Sequence, residues 1–235
     1  MNDRVAKLQQ NVDAIQNRIA TAAEKAGRAS SEVKLVAVTK YVDADVIRDL
    51  ATAGCNEFGE NRPQALWPKA EALADISLQW HQIGHLQRNK LRRTLPLVSL
   101  IHSVDSLRLL KAISELQAEL DSESPKQILL EVNVSGDEAK HGFTSESLNE
   151  AVESAIASPS VSLQGLMCMA GYGTAPEEAR KDFAKLREIR ERLVETYSAD
   201  HFAELSMGMS GDFEQAIAEG ATFVRVGSAL FDGVL

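Results

Sequence analysis

Two short apolar runs near the end of the chain, LSMGM (205–209) and TFVRVG (222–227), each give way to a serine-glycine pair, Ser210 with Gly211 and Gly227 with Ser228. Residues able to begin a helix follow each pair. Such turns present free backbone N–H groups at a helix start, which attract anions and above all phosphate. Lys40 ends another apolar run, VKLVAVTK (33–40). A lysine at a strand end is ordinarily a solvated terminus, yet an amine held near cationic and apolar groups is also a nucleophile toward aldehydes. In TFVRVG, period-two alternation puts Phe223, Arg225 and Gly227 on one face and Val224 and Val226 on the other. Arg225 can only donate hydrogen bonds, whether to a ligand or in a salt bridge to a carboxylate.

The elements that must position these groups alternate along the chain. MNDRVAKLQQNVDAIQNRIATAAEKAGR has the spacing of an amphipathic helix, and after it strand-like runs alternate with helical ones. VKLVAVTK is followed by YVDADVIRDLATAG, CNEFGE by a helix from about Arg62, LQWHQIG by one from about Gln87, and VSLIHSV by one from Asp105 or Ser106. QILLEVNV then precedes a helix near Ser145 to Ala157, VSLQGLMCM one from Pro176 to about Tyr197, and LSMGM and TFVRVG complete the series. Eight strand-helix units without a linker between halves predict one domain over residues 1–235, a single (β/α)8 TIM-type barrel with an extra N-terminal helix. An open doubly wound sheet is the other architecture that fits this alternation.

In a barrel of this type the active site lies at the C-terminal ends of the strands, and the loops after strands seven and eight commonly hold phosphate. Ser210, Gly227 and Ser228 then converge on one phosphate. Closure sets strand one beside strand eight, so Lys40 is expected next to that cup, partly desolvated and close to Arg225. A lysine there could form a Schiff base with an aldehyde, and an aldehyde that carries a phosphate is pyridoxal 5'-phosphate (PLP). A pyridine nitrogen facing Arg225 would stay unprotonated and the ring would be a weak electron sink.

The rest of the composition narrows the classes. With 235 residues and a net charge of −9, no general affinity for DNA, RNA or anionic lipid is expected. The basic run Arg88, Lys90, Arg92 and Arg93 reads as a solvated helix face, since no aromatic residues are interleaved with it. No window has the unbroken apolar length of a membrane span, and the N-terminus lacks a signal-peptide core, so a cytoplasmic protein is expected. Cys55 and Cys168 fall in no CxxC pattern. His81 and His85 straddle a strand end and a turn, so no metal is expected, and His81 is read as packing beneath the ligand. Met167, Met169, Met207 and Met209 read as core or pocket floor, and Asn89 and Lys90 as rim contacts.

Taken in order, AVTK, FGEN (58–61), WHQIGHLQRNK (80–90), HSVDS (102–106), GLMCM (165–169), LSMGMSGDFEQAI (205–217) and RVGSALF (225–231) resemble the pyridoxal-phosphate-binding, or PLP homeostasis, protein family over nearly the whole chain. The resemblance implies a barrel similar to the N-terminal domain of alanine racemases, carrying PLP on Lys40. It also implies Asn61 at the ring substituents, Ser210, Gly227 and Ser228 at the phosphate, and Arg225 at the pyridine nitrogen. The chain departs from the family's usual ending, reading LFDGVL where LFG and a charged tail are common.

On this reading the protein is a monomeric carrier that binds PLP reversibly and passes it to apo-enzymes that need it, without turnover of its own. A PLP-dependent amino-acid racemase is the alternative. Racemisation needs an acid/base on each face of the intermediate; Lys40 serves one, and Tyr41 and Tyr172 are the phenols near strand ends, neither in a matching motif. The second domain that supports such racemases is not expected here. A sugar-phosphate isomerase or aldolase on the same barrel would use the same cup and lysine but would bear no chromophore.

Overall fold

Successive side chains of a strand point to opposite faces, and the structure uses both faces of each. It is a computed structural model that describes residues 3–120, 124–136, 141–171 and 175–234; Tyr172 and part of the connection at 121–127 lie outside these. The strands are β1 (Lys34–Val38), β2 (Glu57–Glu60), β3 (Gln79–Gln82), β4 (Leu100–Val104), β5 (Lys126–Glu131), β6 (Val161–Met167), β7 (Glu204–Met209) and β8 (Phe223–Val226). All neighbours pair in parallel, and β8 returns to β1 with Val36 opposite Arg225, closing an eight-stranded barrel. The open-sheet alternative is thereby excluded.

Inside the barrel Val36, Leu100, Leu129, Met167 and Phe223 form one apolar cluster. Their chain neighbours Leu35, Ala37, Ile101, Ile128, Leu130, Leu166 and Val224 face outward and join the larger core under the helices. The helices are α1 (Asp3–Lys25), α2 (Ala44–Thr52), α3 (Pro63–Ala72), α4 (Leu91–Thr94), α5 (Leu107–Glu119), α6 (Ser145–Ala157), α7 (Pro176–Thr196) and α8 (Phe213–Ala218). Side chains start several of them: Asp43 accepts from the Val46 N–H at 3.0 Å, and Ser106 from that of Leu109 at 3.3 Å. The helix expected after Gln87 is a single α-turn flanked by 3-10 turns, because Pro96 cannot continue it.

After β8 the chain makes one 3-10 turn, Ser228–Phe231, and α1 packs against that turn, α8 and α2. The N-terminal helix therefore completes the outer ring where a helix following β8 would lie. Asn11 of α1 fixes the tail by donating to the Leu230 and Asp232 carbonyls, both at 2.9 Å. Among the described residues no helix is long and apolar enough to cross a membrane. Cys55 and Cys168 are free and buried, and burial pushes both thiols up to about 12.

The glycine of the GLM motif has a steric reason. Gly165 has φ +156°, and a Cβ there would overlap the Glu204 carbonyl of β7. Replacing Gly165 with Ala should therefore destabilise the barrel by about 2 kcal/mol or more in urea unfolding, since added volume in a packed site costs roughly 1–3 kcal/mol. Unchanged stability would mean that β6 and β7 can part without loss.

Candidate functional site

At the C-terminal end of the barrel the turns after β7 and β8 meet: the Gly227 N–H donates to Ser210 Oγ at 3.1 Å. The first turn is shaped by Asp212, whose Oδ1 accepts from the Met209 N–H at 2.6 Å. Ser228 is exposed and opens the 3-10 turn, which no side chain caps. A Cβ on Gly211 would meet nothing within 4 Å among the described residues. A Cβ on Gly227 would instead point at Val38 of β1, at 3.4 Å. What Gly227 offers here is its N–H.

Lys40 sits two residues beyond β1, exposed, with its ammonium 4.8 Å from the ring centroid of Tyr41. The expected partial desolvation is absent, because β1 ends at Val38, Thr39 is the last buried residue, and the turn carries Lys40 outward. With Tyr41, Glu60, Asn61, Arg62 and Ala65 it lines a cavity of about 160 Å³. Glu60 in that wall is fully buried, its Oε1 accepting from Thr39 Oγ1 at 2.7 Å and Lys69 Nζ at 2.5 Å. Its Oε2 is buried with no hydrogen-bond partner among the described residues. A buried carboxylate oxygen left open beside a lysine is an acceptor awaiting a donor.

Asn61 is exposed, and its amide lies so close to Gly84 that a Cβ there would overlap it. A neighbouring cavity of about 260 Å³ shares Asn61 and Arg62 and adds Gln64, His85, Gln87 and Lys90. Lys90 is thus on a rim; Asn89 does not line either cavity. A larger groove of about 580 Å³ lies outside the barrel, between α1 and α8, away from Lys40.

Arg225 is 4% exposed, inside the barrel with Phe223, while Val224 and Val226 face the outer core. Its Nη1 donates to Ser206 Oγ at 2.5 Å and its Nη2 to the Cys168 carbonyl at 2.9 Å. Neither partner is a carboxylate, so the salt-bridge reading is not the arrangement found. Burial lowers the guanidinium's pKa, opposed by Cys168, Glu131 and Asp212. Burial also lifts Glu131 to about 7, reinforced by Asp105 and opposed by Arg225 and His85.

His81 is buried, edge-on to Phe223 and to His102. His85 is not paired with it; its Nδ1 is 2.8 Å from Asp105 Oδ2, and its ring stacks on His141 at 4.4 Å. His85, Asp105 and His141 bring ligand-type atoms within 4.8 Å of one another, and Asp105 accounts for both imidazoles as a hydrogen-bond and ion-pair partner. Met167 and Met207 are fully buried, whereas Met169 and Met209 are 44% and 37% exposed at the strand ends. The basic run is tied to its neighbours. Arg93 and Lys90 lie over the Trp67 ring of α3 at 4.5 and 5.7 Å, and Arg92 pairs with Glu119 at 2.6 Å.

The structure brings the sequence-predicted Lys40 and Asn61 to one cavity and Ser210 and Gly227 to one hydrogen bond. Sequence reasoning missed the Glu60–Lys69 pair and the inward-facing His102 and Ser206. Strand parity held the signal for the last two: in LIHSV and ELSMGM they alternate with the outward Ile101 and with Leu205 and Met207.

Comparison with known proteins agrees with this fold. The alanine racemase N-terminal domain family matches residues 10–233. A pyridoxal phosphate homeostasis protein of Aquifex aeolicus is 43% identical over 214 residues, 91% of this chain and 92% of that one. The PipY protein of Synechococcus elongatus, solved with PLP bound, superposes with a TM-score of 0.80 at 35% identity, covering 91% of this chain and 99% of that one. An alanine racemase of Corynebacterium glutamicum shares the fold alone, with a TM-score of 0.68 at 17% identity over 93% of this chain and 61% of its own. With that match spanning nearly its whole length, the chain belongs to the alanine racemase N-terminal domain family, among the pyridoxal phosphate homeostasis proteins.

Proposed function

We propose that this protein binds pyridoxal 5'-phosphate reversibly at the C-terminal end of its barrel and serves PLP homeostasis as a carrier, without catalytic turnover. The observation that carries this reading is the junction of the β7 and β8 turns, where Ser210 Oγ and the Gly227 N–H meet at 3.1 Å beside the strand that leads to Lys40. A hydroxyl and the N–H it accepts from, already joined across two strand ends, need little rearrangement to turn to one anion. The 43% identity to a PLP homeostasis protein and the likeness to PLP-bound PipY support the same ligand.

Ser210, Gly227 and Ser228 hold the phosphate, Asn61 contacts the ring substituents, and Lys40 is the covalent attachment point. Bound PLP supplies an aldehyde and an electron-withdrawing ring. Lys40, exposed on its turn, is accessible to an incoming aldehyde and equally to an acceptor that removes it, as a carrier requires. Arg225 supports storage over use, because a guanidinium that only donates leaves a facing ring nitrogen unprotonated. Tyr41, the described phenol nearest Lys40, adjoins it in the chain and is 82% exposed, so it does not stand across a closed pocket as a second base would. Recipients are apo-enzymes that need PLP, and the protein acts in the cytoplasm as a monomer.

The purified protein incubated with PLP should turn yellow, and borohydride reduction followed by peptide mapping should place the label on Lys40. A label on Lys69 or Lys90 would sink the attachment site, and a colourless protein would sink the PLP reading. Lys40→Ala should lose the covalent band while keeping weak PLP binding.

Ser210→Ala should weaken PLP binding by about tenfold or more with the melting temperature nearly unchanged, since a hydrogen bond to a charged group is worth roughly 1.5–3 kcal/mol. Equal affinity would move the phosphate elsewhere. With L-amino acids in deuterated water, α-proton exchange followed by NMR should stay at the uncatalysed rate; rapid, Lys40-dependent exchange would replace the carrier with a racemase.

A further inference from the structure

Four hydrogen bonds in a row cross the inside of the barrel. Glu57 Oε2, at the start of β2, is 2.5 Å from His81 Nε2; His81 Nδ1 is 2.8 Å from His102 Nε2. His102 Nδ1 is 2.7 Å from Ser206 Oγ, which accepts from Arg225 Nη1 at 2.5 Å. His81, His102, Ser206 and Arg225 are all buried, while the Glu57 side chain is 30% exposed. The chain thus runs from a solvent-touching carboxylate, through the barrel interior, to the guanidinium.

One direction gives every donor in the row an acceptor. Arg225 has only protons to give, so Ser206 accepts from it, and in this direction the Ser206 hydroxyl donates to His102 Nδ1. His102 then carries its proton on Nε2 and donates to His81 Nδ1. His81 in turn carries its proton on Nε2 and donates to Glu57. Every donor finds one acceptor, both imidazoles are neutral, and the chain ends in a cation at one side and an anion at the other. A second proton on His81 would reverse the inner bonds and leave the Ser206 hydroxyl proton without an acceptor in the chain.

Burial first, and then the positive charge of Arg225, keep the His102 imidazole neutral, well below its ordinary pKa. The hydrogen bond from His81 holds the Glu57 carboxyl low, with Lys34 of β1 adding to it, and Lys34 itself pairs with Glu204 of β7 at 2.8 Å. Phe223 covers both imidazoles edge-on. Around Arg225 stand Cys168, Glu131 and Asp212, none of which takes one of its observed hydrogen bonds through a side chain.

We propose that Glu57, His81, His102 and Ser206 are positioning residues that fix the Arg225 guanidinium in one orientation and couple it to the carboxylate charge at the opposite end of the barrel. The electronic state of a ring bound against Arg225 is then set in part from that far end. The second statement rests on the PLP reading; the first does not.

Two measurements test it. In the protein without PLP, long-range 15N–1H correlation spectra between pH 6 and 8 should find His81 and His102 both neutral with the proton on Nε2. A charged imidazole, or a proton on Nδ1 of either ring, overturns the chain itself. In the PLP-loaded protein, Ser206→Ala cuts the link next to Arg225, whereas Glu57→Gln keeps an acceptor for His81 and removes only the charge. Both should shift the visible band of bound PLP in the same direction, with the double variant matching Ser206→Ala alone.

A band unmoved by Glu57→Gln, or additive shifts in the double variant, overturns the coupling. Should Ser206→Ala fail to fold, Glu57→Gln at its partly exposed position decides alone. A wild-type protein that binds no PLP would sink the cofactor reading and the electronic half of this proposal, while the tautomer measurement would still decide the hydrogen-bond chain.

Discussion

The pairing of β1 with β8 is the contact on which the site depends. Residues 34 and 226 are far apart in the chain, yet the register Lys34–Phe223 through Ala37–Val226 places them side by side. Without it the turn bearing Lys40 and the turn bearing Gly227 would sit at opposite edges of an open sheet. Parallel strands cannot close over a hairpin, so each must be returned by a crossover, and seven crossovers carry the chain around to meet its first strand. The last place in the outer ring is filled from the other terminus, where α1 lies against α8, α2 and the turn after β8. Asn11, by holding two carbonyls of that turn, links the N-terminal helix to the residues immediately beyond Ser228.

Closure also creates the problem that the polar interior solves. A barrel this narrow is filled by side chains, and here an apolar cluster of five residues shares the interior with a buried guanidinium. An isolated buried charge is unfavourable unless it is hydrogen-bonded and its field is balanced. Arg225 meets the first condition with a hydroxyl and a backbone carbonyl. The second falls to Glu131 and Asp212 through space and, on the inference drawn above, to Glu57 through two neutral imidazoles. A direct carboxylate partner would have neutralised the cation outright; neutral acceptors leave its charge available to whatever binds at the mouth.

Much of this was legible in the sequence because the strands obey parity. From TFVRVG alone Arg225 could be assigned to the inside with Phe223, the strand ends and their serine-glycine pairs drew out the lysine and the two turns, and the family resemblance added Asn61. Element order was readable because apolar strand runs alternate with amphipathic helical ones along most of the chain, and helix starts such as Ser106 carry their own caps. Three features were not readable. The exposure of Lys40 depends on where β1 stops, a matter of two residues that periodicity does not resolve. Trp67 stacks under Arg93 from a different helix, so the aromatic partner of the basic run is distant in sequence. The links from Glu57 to Ser206 join four strands, and no local pattern reports a contact between residues 104 positions apart, as His102 and Ser206 are.

The same parity argument bears on the proposal that this protein stores a cofactor and does not use it. An enzyme that stabilises a carbanion on a pyridine ring gains from an acid facing the ring nitrogen, because a protonated ring draws electrons more strongly. Here the residue on that strand face is an arginine whose observed partners both accept from it. Replacing it with a carboxylate would set that carboxylate near Glu131 and Asp212 and leave Ser206 and the Cys168 carbonyl without their donor. The interior is therefore built around a fixed cation. The chemistry that a fixed cation favours in the proposed site is retention of phosphate and aldehyde in an electronically quiet state, with Lys40 left on an exposed turn where exchange with another amine needs no opening of the barrel.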